Sequence, residues 1–568
     1  FPAIFKILTF FGVSVTLYEV AYFFPAFMGG MTVLAMFFLG KEVLDEKCGL
    51  VAAFFLALSP GHIQRTVAGF FDNETIGVFA ILMVFLFFVK ALKSGKLSHS
   101  VIGGIFLGYL SLSWGGAQFV IYIIPIVCFF LIILNKYNKN VLIAFAGIEG
   151  VGILISGLKF GYNFNDFILV IDKGGMLFFT ALLVIYHIFY QNRENYTDFY
   201  EKSMTTFKWI LIPAIIVFLF LVYAFPQLIP LGLGSKFQTI INPLIRENLS
   251  FLASVAEHVP STWSVIYYNT LIPLMLIPLG IYFCIRRYNA IDVFLIIFVL
   301  ITFYFVGSMV RIVLVFAPAA ALVGAYGLVN VLKIFGSYLR QKKVGFSRKR
   351  RRLSRKKSMM GNVEIFGVFI VVGFLCTAQV IHTTDVATTQ YSYSQLRPGG
   401  TLNDWTESLD WMRTNLPGDT VVVSWWDYGY WLTPLGNVTT VCDNGNYNVK
   451  VNGMVGMSFM QTNEIYSAEI LKLLGAEYVL VYFGFFYDGL GGDEGKWQWM
   501  LRICNDYYSQ YVEMGLEKPN WESNSVFSES EYVNQTNGKF KEKWFQSQLA
   551  KLMLQYEPVS GEEYKENF

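Results

Sequence analysis

The chain has 568 residues, of which 55% are hydrophobic and only 15% charged, with a mean hydropathy of +0.49. Soluble proteins carry about 25% charge, so a water-soluble globule is excluded for the first two-thirds, where apolar residues form long runs without polar linkers. The formal net charge of +3 excludes little, but its distribution matters: ten Lys and Arg residues crowd between Lys342 and Lys357.

Runs of about 17–25 apolar residues predict ~12 membrane spans. In chain order they centre near Met31, Ala57, Leu82, Leu107, Tyr122, Ile148, Leu182, Phe218, Ile277, Ile297, Ala321 and Gly373. The basic loop at 335–360 lies between the last two and is cytoplasmic by the positive-inside rule. Flanked by apolar runs, it reads as a membrane loop and not as a nucleic-acid-binding arm. Counting back, the loops holding Arg286-Arg287, Lys136-Lys139, Lys93-Lys96 and Lys41-Lys47 fall on the same side. The opposite, outer face then receives residues 70–75, the long loop 224–269, the turn before Arg311 and everything after about residue 381. The expected division is a transmembrane catalytic domain over 1–382 and an extracytoplasmic domain over 383–568.

The tail has another character. Residues 419–424 (DTVVVS), 438–441 and 477–483 (EYVLVYF) read as buried strands. Residues 402–416 and 463–474 read as amphipathic helices. The alternation predicts a mixed α/β soluble domain behind a polytopic α-helical membrane domain. Six cysteines and five histidines are scattered without metal-type spacing. Cys442 and Cys504 share the tail, which leaves a disulfide open.

Five places can carry chemistry. Asp72-Asn73-Glu74 opens the third span. Carboxylates at i and i+2 can converge on one divalent cation of the Mg²⁺ or Mn²⁺ type, or simply cap the helix and favour its dipole. Glu257, next to His258 in SVAEHVPSTW, stands in the long outer loop, where an acid is usually solvated. Arg311 opens a span; it either snorkels to the interface or clamps a phosphate with its planar donors. Trp425-Trp426-Asp427-Tyr428-Gly429 follows a strand directly. Two indoles and a carboxylate need partners, and ligands bind at the carboxyl ends of strands in α/β domains. Asp493, Lys496 and Met500 share one helical face, as an ion pair beside a packed Met or as part of a site. Asn248-Leu-Ser250, Asn437-Val-Thr439 and Asn534-Gln-Thr536 are glycosylation sequons consistent with an outer location.

WWDYG after a strand, on the outer side of a polytopic chain, resembles the signature of the oligosaccharyltransferase catalytic subunit. AGFFDNET (residues 68–75), SVAEHVPSTW, MVRIVLVFAP and DEGKWQWM (residues 493–500) are similar to that family's second acidic motif, loop glutamate, arginine span and D-x-x-K-x-x-x-M helix, in order. The resemblance covers nearly the whole chain and implies the C-type glycosyltransferase fold. The family carries one more span than is counted here. That span and the start of the first outer loop, with the first metal-binding aspartate, are expected to precede Phe1. After WWDYG, Asp443, Asn444 and Asn448 match a segment that in eukaryotic members includes a sequon, absent here. The lost sequon and short tail point to an archaeal cell membrane with the site outside; the alternative is the endoplasmic reticulum with a lumenal site.

What the resemblance implies is a metal-dependent, inverting transfer of a preassembled oligosaccharide from a polyprenyl (dolichyl) phosphate or pyrophosphate to the asparagine of Asn-X-Ser/Thr. Asp72, Glu74 and Glu257 would hold Mn²⁺ or Mg²⁺, Glu257 would orient the acceptor amide, and Arg311 would hold the lipid phosphates. Trp425, Trp426 and Asp427 would bind the sequon hydroxyl, supported by Lys496, with Met500 on the threonine methyl. Arg65 would order the carboxylates and His258 line the loop. Partners would be a lipid-linked donor, an acceptor polypeptide and membrane lipid; accessory subunits are not named by the sequence. The rivals are another lipid-linked-sugar transferase of the C-type class and a transporter. A transporter would carry charges mid-span, whereas the notable charges here cluster at the outer mouths.

Overall fold

The computed structural model describes residues 2–160, 174–224, 239–343, 362–393, 403–483, 492–513, 516 and 527–553. Apart from Lys342 and Lys343, the basic block lies outside the described residues. The chain forms two compact units: Phe1–Pro243 with Glu257–Pro398, and Leu244–Ala256 with Gly399–Phe568.

The first unit is helical. Each of the span centres expected from the apolar runs falls within a helix. By length and composition six described helices can cross a membrane, or seven if the pair Trp263–Thr270 and Ile272–Arg287, bent by 89°, is one span. Leu97–Ser113, Ala117–Ile133 and Met176–Gln191 are shorter apolar helices. The bend falls at Leu271, whose φ of 47° breaks the helical ladder one residue before Ile272-Pro273 begin the next helix. Local signals set other ends. Asn289 and Asp292 form a capping box for Ala290–Ser308, and Gly95 ends Asn73–Ser94 in the left-handed conformation at φ 64°.

Small residues let these helices approach closely, as membrane packing requires. A Cβ at Gly104 would stand 2.6 Å from Val151 Cβ, and one at Gly108 2.4 Å from Ile155 Cβ. Leu97–Ser113 and Lys139–Phe160 therefore meet backbone to backbone along this seam.

Among the described residues the second unit holds three short parallel strands, β1 (Val421–Val423), β2 (Thr439–Thr440) and β3 (Tyr478–Val479), in the order β2-β1-β3. They fall inside the expected strand segments but are shorter. Beyond β3, the Tyr482 N–H leaves the ladder and donates to Asp493 Oδ2 at 2.9 Å. Helices Asn403–Asn415 and Glu464–Leu473 sit where the amphipathic patterns predicted them. Trp425, Trp497, Trp544 and Tyr532 fill the core. The expected helix over 493–500 is split: Asp493–Gly495 is a 3₁₀ turn, and the α-helix runs Trp497–Asp506. Cys442 and Cys504 are both free and buried, so the disulfide left open by their shared location does not form.

Candidate functional site

In the first unit, three separated stretches meet in one ion network. Arg65 pairs with Glu257 and lies 3.4 Å from Glu74 Oε2; Arg311 pairs with Glu74 and lies 3.4 Å from Glu257 Oε2. Two guanidiniums thus alternate with two carboxylates. Glu74 is fully buried in the first turn of Asn73–Ser94, and its Oε2 makes no hydrogen bond to the described residues. Asp72 N-caps that helix, its side chain accepting from Asn73 N at 2.6 Å. It stands close enough for its charge to be felt at Glu74 and Arg311.

Backbone contacts put these groups together. Thr75 Oγ1 donates to Arg65 O at 3.0 Å, tying the acidic turn to the arginine segment. Gly61, in the short helix Pro60–Ile63, seats against Val313, since a Cβ there would come within 2.6 Å of Val313 Cγ1. The Glu257 loop is bound to the Arg311 turn by Val310 N–H donating to Val259 O at 2.9 Å and Ser261 N–H donating to Gly307 O at 3.3 Å. Burial works against charge on Glu257, but Arg65 and then Arg311 outweigh it and hold the carboxyl below its ordinary range. His258 is buried beside it.

In the second unit, Trp425-Trp426-Asp427-Tyr428-Gly429 leaves the carboxyl end of the central strand β1 and turns in a 3₁₀ helix, Trp426–Tyr428. Trp425 is buried in the core. Trp426 is half-buried, packs edge-on against Phe251 at 5.5 Å, and has a buried Nε1–H with no hydrogen-bond partner among the described residues. Lys496 Nζ reaches Asp427 Oδ2 at 2.6 Å and donates to Tyr428 Oη at 2.9 Å. Tyr428 Oη in turn donates to the buried Asp493 Oδ1 at 2.8 Å. Gly429 is needed for a close approach: a Cβ there would stand 2.5 Å from Asp443 Cα. Asn444 continues the clasp, its Nδ2 donating to Asp427 O at 3.0 Å. Asp443 itself accepts from Gly445 N, which makes it a turn former beneath the motif.

The structure therefore gathers Arg65, Glu74, Glu257 and Arg311 in one unit, and Trp426, Asp427, Tyr428, Lys496 and Asp493 in the other. Met500 is wholly buried, its main chain backed by Gly456, so in this structure it packs the core. Arg65 and Tyr428 are more central than their sequence context suggested: Arg65 bridges two carboxylates, and Tyr428 bridges a lysine and an aspartate. Phe251 was missed, and no local pattern marks a phenylalanine in a long loop as the partner of a tryptophan far along the chain. Glu149 was also missed. It is a buried acid in the middle of the helix Lys139–Phe160, so not every notable charge lies at an outer mouth. An acid inside an apolar run is a visible signal.

A helical membrane bundle with an ion network of carboxylates and arginines, joined in sequence to a small parallel-sheet unit, has the architecture of a polytopic membrane glycosyltransferase. The family described as "Oligosaccharyl transferase STT3, N-terminal" matches residues 2–324, and the "STT3/PglB/AglB core domain" matches residues 418–484. The chain is 30% identical to the dolichyl-diphosphooligosaccharide–protein glycosyltransferase subunit STT3B of Arabidopsis thaliana, over 85% of this chain and 68% of that protein. It is 29% identical to the rice subunit of the same description, over 86% of this chain and 70% of the relative. The archaeal oligosaccharyltransferase AglB from Archaeoglobus fulgidus, solved with an inhibitory peptide and a dolichol-phosphate, shares the fold. Its TM-score is 0.69 at 20% identity, covering 96% of this chain and 68% of that one. The chain belongs to the STT3 family of oligosaccharyltransferase catalytic subunits: it is an integral membrane glycosyltransferase of protein N-glycosylation.

Proposed function

We propose that this enzyme transfers a preassembled oligosaccharide from a dolichyl-type phosphate or pyrophosphate to the side-chain amide of Asn-X-Ser/Thr, with inversion at the anomeric carbon and a divalent metal. The observation that carries the reading is the network in which Arg65 and Arg311 alternate with Glu74 and Glu257.

Two chemical problems need solving. The leaving phosphate develops negative charge, and the amide nitrogen is a poor nucleophile. Arg311 answers the first by engaging the lipid phosphate oxygens with planar donors. Glu257 answers the second by accepting a hydrogen bond from the acceptor amide N–H and orienting the nitrogen for in-line attack. The C–N bond forms as the anomeric C–O bond breaks; the amide proton is lost and the lipid phosphate departs. Arg65 holds Glu74 and Glu257 in place.

Among the described residues no three acidic, histidine or cysteine side chains converge tightly enough to hold a metal. The donor set nonetheless suits a hard cation: Asp72, Glu74 and Glu257 supply carboxylate oxygens, and Glu74 Oε2 is buried without a hydrogen bond to the described residues. These three residues would hold Mn²⁺ or Mg²⁺, which supplies Lewis-acid stabilisation of the leaving oxygens. The arginines would then give up part of their present pairing.

On the second unit, the Trp426 indole N–H and the Asp427 carboxylate receive the sequon hydroxyl, which can donate and accept at once. Trp425 backs them from the core and Lys496 fixes Asp427. A site built for a hydroxyl rejects analogues lacking one because its polar groups stay unpaired. The active site faces the cell exterior of an archaeal membrane, or the topologically equivalent lumen of the endoplasmic reticulum. The test is transfer from a lipid-linked oligosaccharide to a labelled Asn-X-Thr peptide by the full-length protein. Transfer should require Mn²⁺ or Mg²⁺ and be lost with Asn-X-Ala; metal-independent transfer, or equal rates on both peptides, would sink the mechanism.

A further inference from the structure

Glu149 takes no part in the transfer chemistry. It stands mid-way along Lys139–Phe160, is 1% exposed, and neither of its carboxyl oxygens has a hydrogen-bond partner among the described residues. A carboxyl held out of water without a partner is costly. It lines a cavity of about 160 Å³ together with Ser111, Trp114, Gln118, Ile121 and Ser156. Gly115, exposed in the turn between Leu97–Ser113 and Ala117–Ile133, also lines the cavity.

The two serine hydroxyls of this cavity share one property. Ser111 Oγ donates to Leu107 O at 2.9 Å, and Ser156 Oγ donates to Ile153 O at 2.9 Å. Both hydroxyl hydrogens are thus committed to their own helices, and the hydroxyl oxygens can offer the cavity only lone pairs. Gln118 adds a carbonyl oxygen beside its amide N–H donors. Among the described residues no lysine, arginine or histidine is on the wall. The result is a set of oxygen acceptors around one acid, which is the chemistry of a cation site. One carboxylate balances one positive charge.

We propose that Glu149, with Ser111, Gln118 and Ser156, binds a small monovalent cation, an alkali ion or a primary ammonium group, entering past Gly115. Occupancy also supports the helix of the ion network. Trp114 on the cavity wall packs directly on Gly77, where a Cβ would come within 2.4 Å of its ring, less than one turn along from Glu74.

The experiment labels the full-length protein in neutral-lipid nanodiscs with a hydrophobic carbodiimide, which adds to a buried protonated carboxyl without a leaving group. Modification of the Glu149 peptide is followed by mass spectrometry in sodium, potassium, ethylammonium or choline chloride at one pH and ionic strength. Choline is the reference because it is too bulky for the cavity. A bound cation at about ten times its Kd should slow labelling of Glu149 about tenfold relative to choline. Protection by the alkali ions alone assigns an alkali site, and protection by ethylammonium alone an ammonium site. Ser111→Ala should weaken the protection, and Glu149→Gln should abolish any difference in unfolding temperature between the protecting salt and choline. Equal labelling of wild-type Glu149 in all four salts, none included, overturns the proposal.

Discussion

At the residue scale, Trp426 carries an indole N–H that is buried and without a hydrogen-bond partner among the described residues. An unmade hydrogen bond of this kind costs about 1–3 kcal/mol, and a ligand that accepts it recovers that cost. Trp426→Phe keeps the ring against Phe251 and removes only the donor. Thermal stability should therefore hold or rise slightly, while the Kd of an Asn-X-Thr peptide, measured by calorimetry, should weaken roughly tenfold. A variant that loses stability and keeps peptide affinity would assign the tryptophan to packing alone.

Asp493 makes a second residue-scale case. Burial pushes its carboxyl up to about 6, against the pull of Lys496, the Tyr482 N–H and the Tyr428 hydroxyl. Below about pH 4 the carboxyl is protonated in both folded and unfolded chains. Between about 4 and 6 the unfolded chain releases its proton first, so stability falls as pH rises, by on the order of 2–3 kcal/mol in all. Above 6 the loss is constant. Asp493→Asn stays neutral throughout and should flatten this slope, read as the unfolding midpoint followed by tryptophan fluorescence from pH 4 to 7.

At the element scale, the seam between Leu97–Ser113 and Lys139–Phe160 depends on glycines. Gly108→Leu must push Ile155 away, since even a Cβ would come within 2.4 Å of it. The expected cost is about 1–3 kcal/mol, visible as a lower unfolding temperature in nanodiscs. Gly367→Leu, on a helix where a Cβ meets nothing within 4 Å, should change it little. Helices and strands were legible to different degrees. Apolar runs located the helices because length and hydropathy are local. They did not show the 89° bend at Leu271, which comes from a backbone dihedral. Strand lengths were overestimated because β-branched runs reveal burial, whereas a ladder ends where a neighbour stops pairing, as Tyr482 does by turning to Asp493.

At the scale of the whole molecule, the orientation rests on basic loops, and it can be checked with single cysteines. The native cysteines are buried or half-buried. In sealed vesicles of cellular orientation, an impermeant maleimide should label Lys472→Cys, exposed on the second unit, from outside. It should label Ser354→Cys, within the basic block, only after permeabilisation. Reversed labelling would invert the topology and place WWDYG in the cytoplasm.

By itself the sequence determined the membrane class, the helix positions, the α/β tail and, through WWDYG and its companion motifs, the transferase family. These follow from hydropathy, charge and contiguous residues, which need no knowledge of distant contacts. Only the tertiary structure decided which charges meet. Arg65 emerged as a hub because Thr75 and the Val313 seat bring its segment to Glu74, and because the 259–261 strip bonds to 307–310. Likewise, Tyr428 became a relay only once Lys496 and Asp493 stood on either side of its hydroxyl. Met500 went to the core and Glu149 to a cavity because burial depends on which helix faces lie opposite, a property that no single segment contains.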